Sequence, residues 1–257
     1  YNSLAASAFC LLIIDPYLIM QVGFQLSFIA VIGIVFFHPR IYNKLQFKNR
    51  IFDYIWSITA VSLSAQLVTF PLGLLYFHQF PSYFLISNLL VIPSAFIMLI
   101  LGISLLISSV YFPITNFIGD IMNYIVHFVN ETLLYIDQLP FSLVEGISIN
   151  IMETYILYLV IVFLGLGFSL RKFKWINYAL LSLVFLFMID LYEDHNLKIN
   201  RQMVIYDVNG HVAIDFISGK DHFFISDNKL FNDQSSMLFN IKHNWYDLDL
   251  NQPIFNN

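Results

Sequence analysis

The sequence predicts an α-helical membrane protein with about six to seven membrane helices, some broken by proline, followed by a small external β-rich domain. Of its 257 residues, 58% are hydrophobic and 11% are charged, whereas soluble domains carry about 25% charged residues. Acidic and basic residues balance up to Met188, and the acidic excess behind the net charge of −5 lies after it. We therefore predict a membrane region over 1–192 and a small acidic β-rich region over 193–257.

Apolar runs long enough to cross a bilayer define the membrane region, because a spanning helix needs about 20 such residues. They lie at 18–37, 51–77, 83–109, 150–170 and 175–191, and residues 4–14 are typical of the end of a further span. Asp15-Pro16 separates the first two segments, since proline does not continue a helix. The chain begins at Tyr1 without a basic signal region, so we expect it to be a piece of a longer protein.

Two basic clusters indicate the topology. They comprise Arg40, Lys44, Lys48 and Arg50, and then Arg171, Lys172 and Lys174. The positive-inside rule places both in the cytoplasm, so an even number of crossings must separate them. Only three strong spans lie between the two clusters, so one crossing is missing. The segment 114–138 is the candidate for a fourth crossing, and the tail then lies outside the cell.

The same segment also fits an amphipathic helix lying in the membrane interface, and this alternative stays open. Its polar residues recur at steps of three and four along an otherwise apolar helix. They are Asp120, Asn123, His127, Asn130 and Glu131.

The sequence of the tail, 193–257, predicts β-strands. Segments 203–208 and 211–218 flank Asn209-Gly210, a strong hairpin signal; 222–227 follows, and 236–243 is a candidate fourth strand. The tail histidines lack metal-ligand spacing, so we expect them at the surface; they are His195, His211, His222 and His243. The tail aspartates are typical of turn residues; they are Asp207, Asp215 and Asp221.

No motif for a catalytic or cofactor site occurs in the sequence. The single cysteine, Cys10, excludes an internal disulfide and a cysteine metal site. We therefore expect no enzymatic activity, no bound metal and no cofactor.

Polar residues within the apolar runs need hydrogen-bond partners or water, because hydrocarbon offers neither. Gln21 and Gln25 would share one helix face. In 51–77 a small and polar stripe runs at steps of three or four; it comprises Thr59, Ser62, Gln66, Thr69 and Gly73. Such a stripe fits either helix–helix packing or the wall of an aqueous path.

The turn that follows this segment fits an interfacial aromatic belt or a stacking surface for bases. It comprises Tyr76, Phe77, His78 and Gln79.

Two blocks of sequence resemble the competence domain of the ComEC-type DNA-uptake channels. They are "DPYLIMQVGFQLSFIAVIGIVFF" and "AQLVTFPLGLLYFHQFPSYFLISNLLVIPSAF". The resemblance covers about residues 1–190. The metal motif of a metallo-β-lactamase-like domain, which many relatives carry after the spans, is absent here, so a nuclease role does not carry over. In this respect the tail is similar to the shorter C-termini of Bacteroidetes-like members.

The resemblance implies a channel subunit that passes single-stranded DNA across the bacterial inner membrane during natural transformation. Its implied partners are single-stranded DNA, a DNA receptor, a cytoplasmic helicase or single-strand-binding proteins, and membrane lipid, with homo-oligomer formation left open. We expect a neutral polar path lined or braced by Gln21, Gln25, Ser27, Ser62, Gln66, Thr69, Asn88 and Pro93. The turn 76–79 would lie at the outer mouth and the basic clusters at the cytoplasmic exit.

Two other functions fit the same sequence features. A small-solute or lipid-linked substrate transporter would use the polar stripes to hold its substrate at mid-membrane. An assembly scaffold would use them to join helices.

Overall fold

Helices dominate the computed structural model, which describes residues 2–108, 112–197, 201–208, 210–227, 229–230, 233–248, 250–251 and 253. The long helices are α1 Asn2–Ile14, α2 Val22–Tyr42, α3 Arg50–Phe77, α4 Phe84–Ser108, α5 Phe112–Asp137, α6 Ile151–Leu170 and α7 Phe173–Leu197. Two short strands, β1 Gln79–Pro81 and β2 Leu143–Glu145, pair with each other. The tail contains β3 Arg201–Val208, β4 His211–Ser218, β5 Asp221–Ser226, α8 Gln234–Met237, a π-helical turn Leu238–Lys242 and α9 His243–Asp247.

The chain forms two compact units. The first comprises Tyr1–Thr69 and Phe80–Val144, and the second comprises Phe70–Gln79 and Glu145–Asn257. The boundary predicted between residues 192 and 193 stays a prediction.

Five helices of the described chain are long and apolar enough to cross a membrane: α2, α3, α4, α6 and α7 up to Tyr192. The predicted membrane fold with a small β-sheet near the C-terminus is confirmed at this level. The larger number of six to seven spans, and the location of the sheet outside the cell, stay predictions. The helix α5 is 26 residues long but is not among the five, so its crossing also stays a prediction.

The predicted start of the second span, at residue 18, is wrong. Pro16–Met20 forms a 3₁₀ turn whose first residues are capped by Asp15, which accepts a hydrogen bond from the backbone N–H of Tyr17 at 2.9 Å. Gln21 is extended, with φ −76° and ψ 129°, and α2 begins after it. Gln21 therefore precedes the helix and does not share a helical face with Gln25 in the way the spacing predicted.

In the first unit α2 packs closely on α3. A Cβ atom added to Gly33 would lie 2.2 Å from Cγ2 of Val68 and 2.8 Å from the carbonyl oxygen of Ser64. Asp53 of α3 accepts a hydrogen bond from the hydroxyl of Tyr42 at 2.9 Å. Since only glycine permits this approach, Gly33 sets the separation of the two helices.

In the second unit α6 and α7 form a helical hairpin. α6 begins with a capping box in which Asn150 and Glu153 each accept the other's backbone N–H, at 2.8 and 2.9 Å. It ends at Arg171, whose φ of 51° is left-handed, and α7 starts two residues later.

The tail of the second unit is an antiparallel sheet in the order β3-β4-β5. The three predicted strands are confirmed, and Val208 pairs with His211 across the predicted turn. Gly210 has a φ of +77°, a conformation that favours glycine, while Asn209 lies outside the described residues. The core lies on one face of the sheet and comprises Tyr206, Val208, Ala213, Phe224, Leu230, Met237, Ile241 and Trp245.

The predicted fourth strand at 236–243 is wrong, because this segment is helical. Met237, Ile241 and Trp245 recur every four residues, which places them on one side of a helix. All three are buried in the tail core. The short apolar run thus satisfies a helical period better than a strand period.

The expectation of surface histidines is wrong for His222, and that of turn aspartates is wrong as well. His222 and Asp215 are buried, and Nδ1 of His222 lies 2.8 Å from the Asp215 carboxylate. Asp207 and Asp215 lie within strands, and Asp221 is the first residue of β5. The reason is strand alternation, which directs Ala213, Asp215 and Ile217 to the buried face. The His195 side chain lies outside the described part of the structure.

Candidate functional site

The polar stripe of α3 divides into residues with and without partners. The hydroxyl of Thr59 donates to the Ile55 carbonyl at 2.8 Å and that of Thr69 to the Ala65 carbonyl at 3.0 Å. Ser62 is buried, and its Oγ has no hydrogen-bond partner among the described residues. Gln66 is partly buried, and no described residue hydrogen-bonds its side chain. A buried polar atom without a partner is costly. Ser62 is 2% exposed and does not reach a surface, so Gln66 is the member of the stripe that suits a wet surface best.

Gln25 has a local partner. Its amide Nε2 donates to the carbonyl oxygen of Ile19 at 3.0 Å and thereby joins the first turn of α2 to the preceding 3₁₀ turn. Gln21 and Ser27 are exposed, whereas Asn88 and Pro93 of α4 are partly buried. The geometry therefore makes Gln25 a brace and leaves the lining role of the others a prediction.

The helix α5 packs on α4, with Val129 buried, and leaves its polar stripe uncovered by protein. All five predicted stripe residues are exposed, and His127 Nε2 lies 3.4 Å from the Glu131 carboxylate. Near the end of this helix a cleft of about 570 Å³ opens beside the start of α4. It is lined mainly by apolar side chains, together with Ser87, Asn130 and Asp137.

The residues of both basic clusters are all exposed. Arg40 lies over the Phe36 ring at 3.9 Å, and Lys174 lies 5.6 Å from the Trp175 ring centre. Both clusters thus place positive charge at the surface of the protein.

The turn after α3 brings His78 into contact with two polar side chains of α9. Phe77 is exposed and Tyr76 and Gln79 are partly buried, but His78 is 1% exposed. His78 Nε2 lies 2.8 Å from Nδ1 of His243 and 3.4 Å from Oδ1 of Asp247. Its ring is therefore enclosed by protein and not open to a passing strand.

The environment of His78 fixes the state of its ring. Nδ1 lies 3.3 Å from the carbonyl oxygen of Ile147. A carbonyl oxygen only accepts hydrogen bonds, so Nδ1 carries the hydrogen. In the neutral ring Nε2 therefore carries the lone pair, which faces His243. Burial lowers the pKa of His78, an effect that the nearby Asp247 charge partly opposes. The ring is consequently neutral at neutral pH.

This cluster was not predicted from the sequence, because His243 and Asp247 lie more than 160 residues from His78. The available signal is the spacing of His243 and Asp247 by four residues, which places both on one face of a helix. That spacing is also common in surface helices, and it does not identify a distant third residue.

Comparison with known proteins identifies the family. The family model described as competence protein matches residues 1–174, more than half of the chain. Searches of curated proteins and of solved structures found no match. The match includes the Gln25, Gln66 and His78 regions and four of the five apolar helices of span length. The resemblance seen in the sequence is confirmed: the chain is a membrane protein that belongs to the competence protein family.

Proposed function

We propose that this protein is a channel subunit that passes single-stranded DNA across the bacterial inner membrane during natural transformation. The observation that carries the proposal is the competence family match over residues 1–174. Five apolar helices of span length supply the membrane body that such a subunit needs. Family membership favours a role in DNA uptake over a small-solute or lipid-linked transporter, which has no comparable support.

The proposed path is polar and neutral. The partly exposed Gln66 offers an amide that no described residue hydrogen-bonds, and the described α2, α3 and α4 contain no lysine or arginine in their central turns. A neutral lining suits a polyanion, because fixed cations would hold it and conduction requires weak sites. The Gln25 side chain joins α2 to the preceding turn through the Ile19 carbonyl, whereas the Thr69 hydroxyl bonds within its own helix.

The exposed basic clusters would lie on the cytoplasmic side and attract emerging phosphates through counterion release. The tail sheet would then lie outside the cell. The partners we propose are single-stranded DNA, an external DNA receptor, and a cytoplasmic helicase or single-strand-binding protein. We further propose that the chain conducts without hydrolysis, which agrees with the lack of a catalytic motif in its sequence.

Deleting the gene should reduce transformation to background while labelled duplex DNA still binds to the cell surface. The reason is that a channel subunit acts after capture, so its loss blocks entry and not binding. The measurement counts transformants and surface-bound DNA in the same cells. Normal transformation in the deletion strain would contradict the proposal, and loss of uptake of a small solute instead would favour the transporter.

Replacing Gln66 with leucine should reduce DNA uptake at least tenfold at unchanged protein level, because an apolar side chain of similar size removes hydrogen-bonding capacity from the path. The matched control is Thr59→Val in the same helix. The Thr59 hydroxyl is already bonded to its own helix, so uptake should stay near wild type. Immunoblots of membrane fractions give the protein level. A fall in the Gln66→Leu protein level that accounts for the loss of uptake would indicate helix packing and contradict the lining role.

A further inference from the structure

Three side chains from distant parts of the sequence converge within the second unit. His78 follows α3 directly, and His243 and Asp247 lie one helical turn apart in α9. One ligand atom from each of the three lies within 4.8 Å of the others. Two imidazoles and one carboxylate form a donor set typical of zinc and related ions, whereas magnesium and calcium prefer oxygen ligands alone.

The orientation of His78 is that of a metal ligand. Its Nδ1–H is held by the Ile147 carbonyl at 3.3 Å, and a backbone carbonyl in this position is the usual second partner of a metal-bound imidazole. The lone pair on Nε2 consequently faces His243 and Asp247. His78 holds this position with a left-handed backbone, φ 52°. Such strain in a residue other than glycine costs free energy and persists where the surrounding structure requires it.

The two distances from His78 Nε2 to the other ligand atoms are close to those of a tetrahedral site. Bonds of about 2.0 Å in a tetrahedral site separate neighbouring ligand atoms by about 3.3 Å. His78 Nε2 and Asp247 Oδ1 already lie 3.4 Å apart, and the two imidazole nitrogens at 2.8 Å must separate by about half an ångström. His243 and Asp247 are about half exposed, at 48% and 46%, so they can move and leave a fourth position to water.

We propose that His78, His243 and Asp247 bind one divalent transition-metal ion, with zinc as the best fit. The ion would join His78, which directly follows α3, to the helix α9 and so fix the tail against the end of α3. The site has three protein ligands and one open position. Its role here is a structural crosslink within the second unit, independent of whether the channel proposal is correct.

The test measures metal binding by the full-length protein, purified without a histidine tag and treated with EDTA. Wild-type protein should bind one equivalent of Zn²⁺ in competition with a chromophoric chelator, and Co²⁺ should give the visible absorption of a tetrahedral site. His243→Ala and Asp247→Ala should each weaken Zn²⁺ binding at least tenfold, because each removes one of three ligands. Both residues are half exposed, so these variants should retain the fold, and circular dichroism checks this.

The control is His211→Ala, which removes a tail histidine that pairs with Asp227 at 2.8 Å, outside the cluster. It should bind Zn²⁺ as wild type does. Zn²⁺ should also raise the thermal midpoint of wild type and of His211→Ala but not of the two ligand variants. A wild-type protein that binds no stoichiometric Zn²⁺, or equal binding by wild type and His243→Ala, would overturn the proposal.

Discussion

Replacing Asp215 with alanine should unfold the C-terminal sheet. The Asp215 carboxylate is fully buried and accepts hydrogen bonds from Nε1 of Trp245 and Nδ1 of His222, both at 2.8 Å. Alanine leaves these two groups buried without a partner. A buried polar group left without a partner costs about 1–3 kcal/mol, and two such groups together approach the whole stability of a small domain.

Protease resistance of the tail in membranes reports this loss, since an unfolded tail is cut while the spans stay protected. The matched control is Asp207→Ala, which changes an exposed aspartate of the neighbouring strand and should change stability by less than about 0.5 kcal/mol. Asp215→Asn should lie between the two, because the amide keeps one acceptor oxygen. Equal protease resistance of Asp215→Ala and Asp207→Ala would show that the buried network does not hold the sheet.

The same network explains which parts of the tail could be predicted. Strand positions follow from alternation and from the Asn209-Gly210 turn, and the three strands appear where these signals placed them. The buried face did not follow, because Val212, Ile214 and Phe216 form the more apolar set of β4, yet Val212 is 65% exposed and Phe216 46% exposed. Asp215 takes the inward position because Trp245 and His222, from other elements, meet it there. Hydrophobicity along one strand does not contain that information.

A similar limit applies in the membrane region. Apolar length located four of the five helices of span length to within a few residues, because a bilayer sets the length that a spanning helix needs. The turn at Pro16–Met20 depends on the Asp15 cap and on the extended Gln21, which an apolar run does not show. The His78 cluster depends on contact between residues far apart in sequence, and one sequence gives no measure of such contact. The candidate path residues are polar in the sequence, but their division into braces and lining groups required the hydrogen bonds.

Gly33→Ala should destabilise the protein and lower its level in the membrane, whereas Gly73→Ala should not. An added Cβ at Gly33 would overlap Cγ2 of Val68 at 2.2 Å and approach the Ser64 carbonyl at 2.8 Å, whereas nothing lies within 4 Å of a Cβ at Gly73. Overpacking of this kind costs about 1–3 kcal/mol. Both changes gain a similar helix propensity, about 1 kcal/mol, so the difference between them isolates the α2–α3 contact. Thermal unfolding in detergent measures it.

Val68→Ala in the Gly33→Ala background separates the side-chain clash from the backbone clash. It removes both methyl groups that a Cβ at Gly33 would meet, at 2.2 and 2.9 Å, but it leaves the Ser64 carbonyl in place. Gly33→Ala should therefore cost less stability in the Val68→Ala background than in wild type, but it should still cost some.

Since α3 also contains Ser62 and Gln66, any residual shift of α2 against α3 would alter the proposed path. DNA uptake by the double variant should then stay below wild type even where its protein level recovers. Full recovery of both would mean that the α2–α3 separation does not matter to transport.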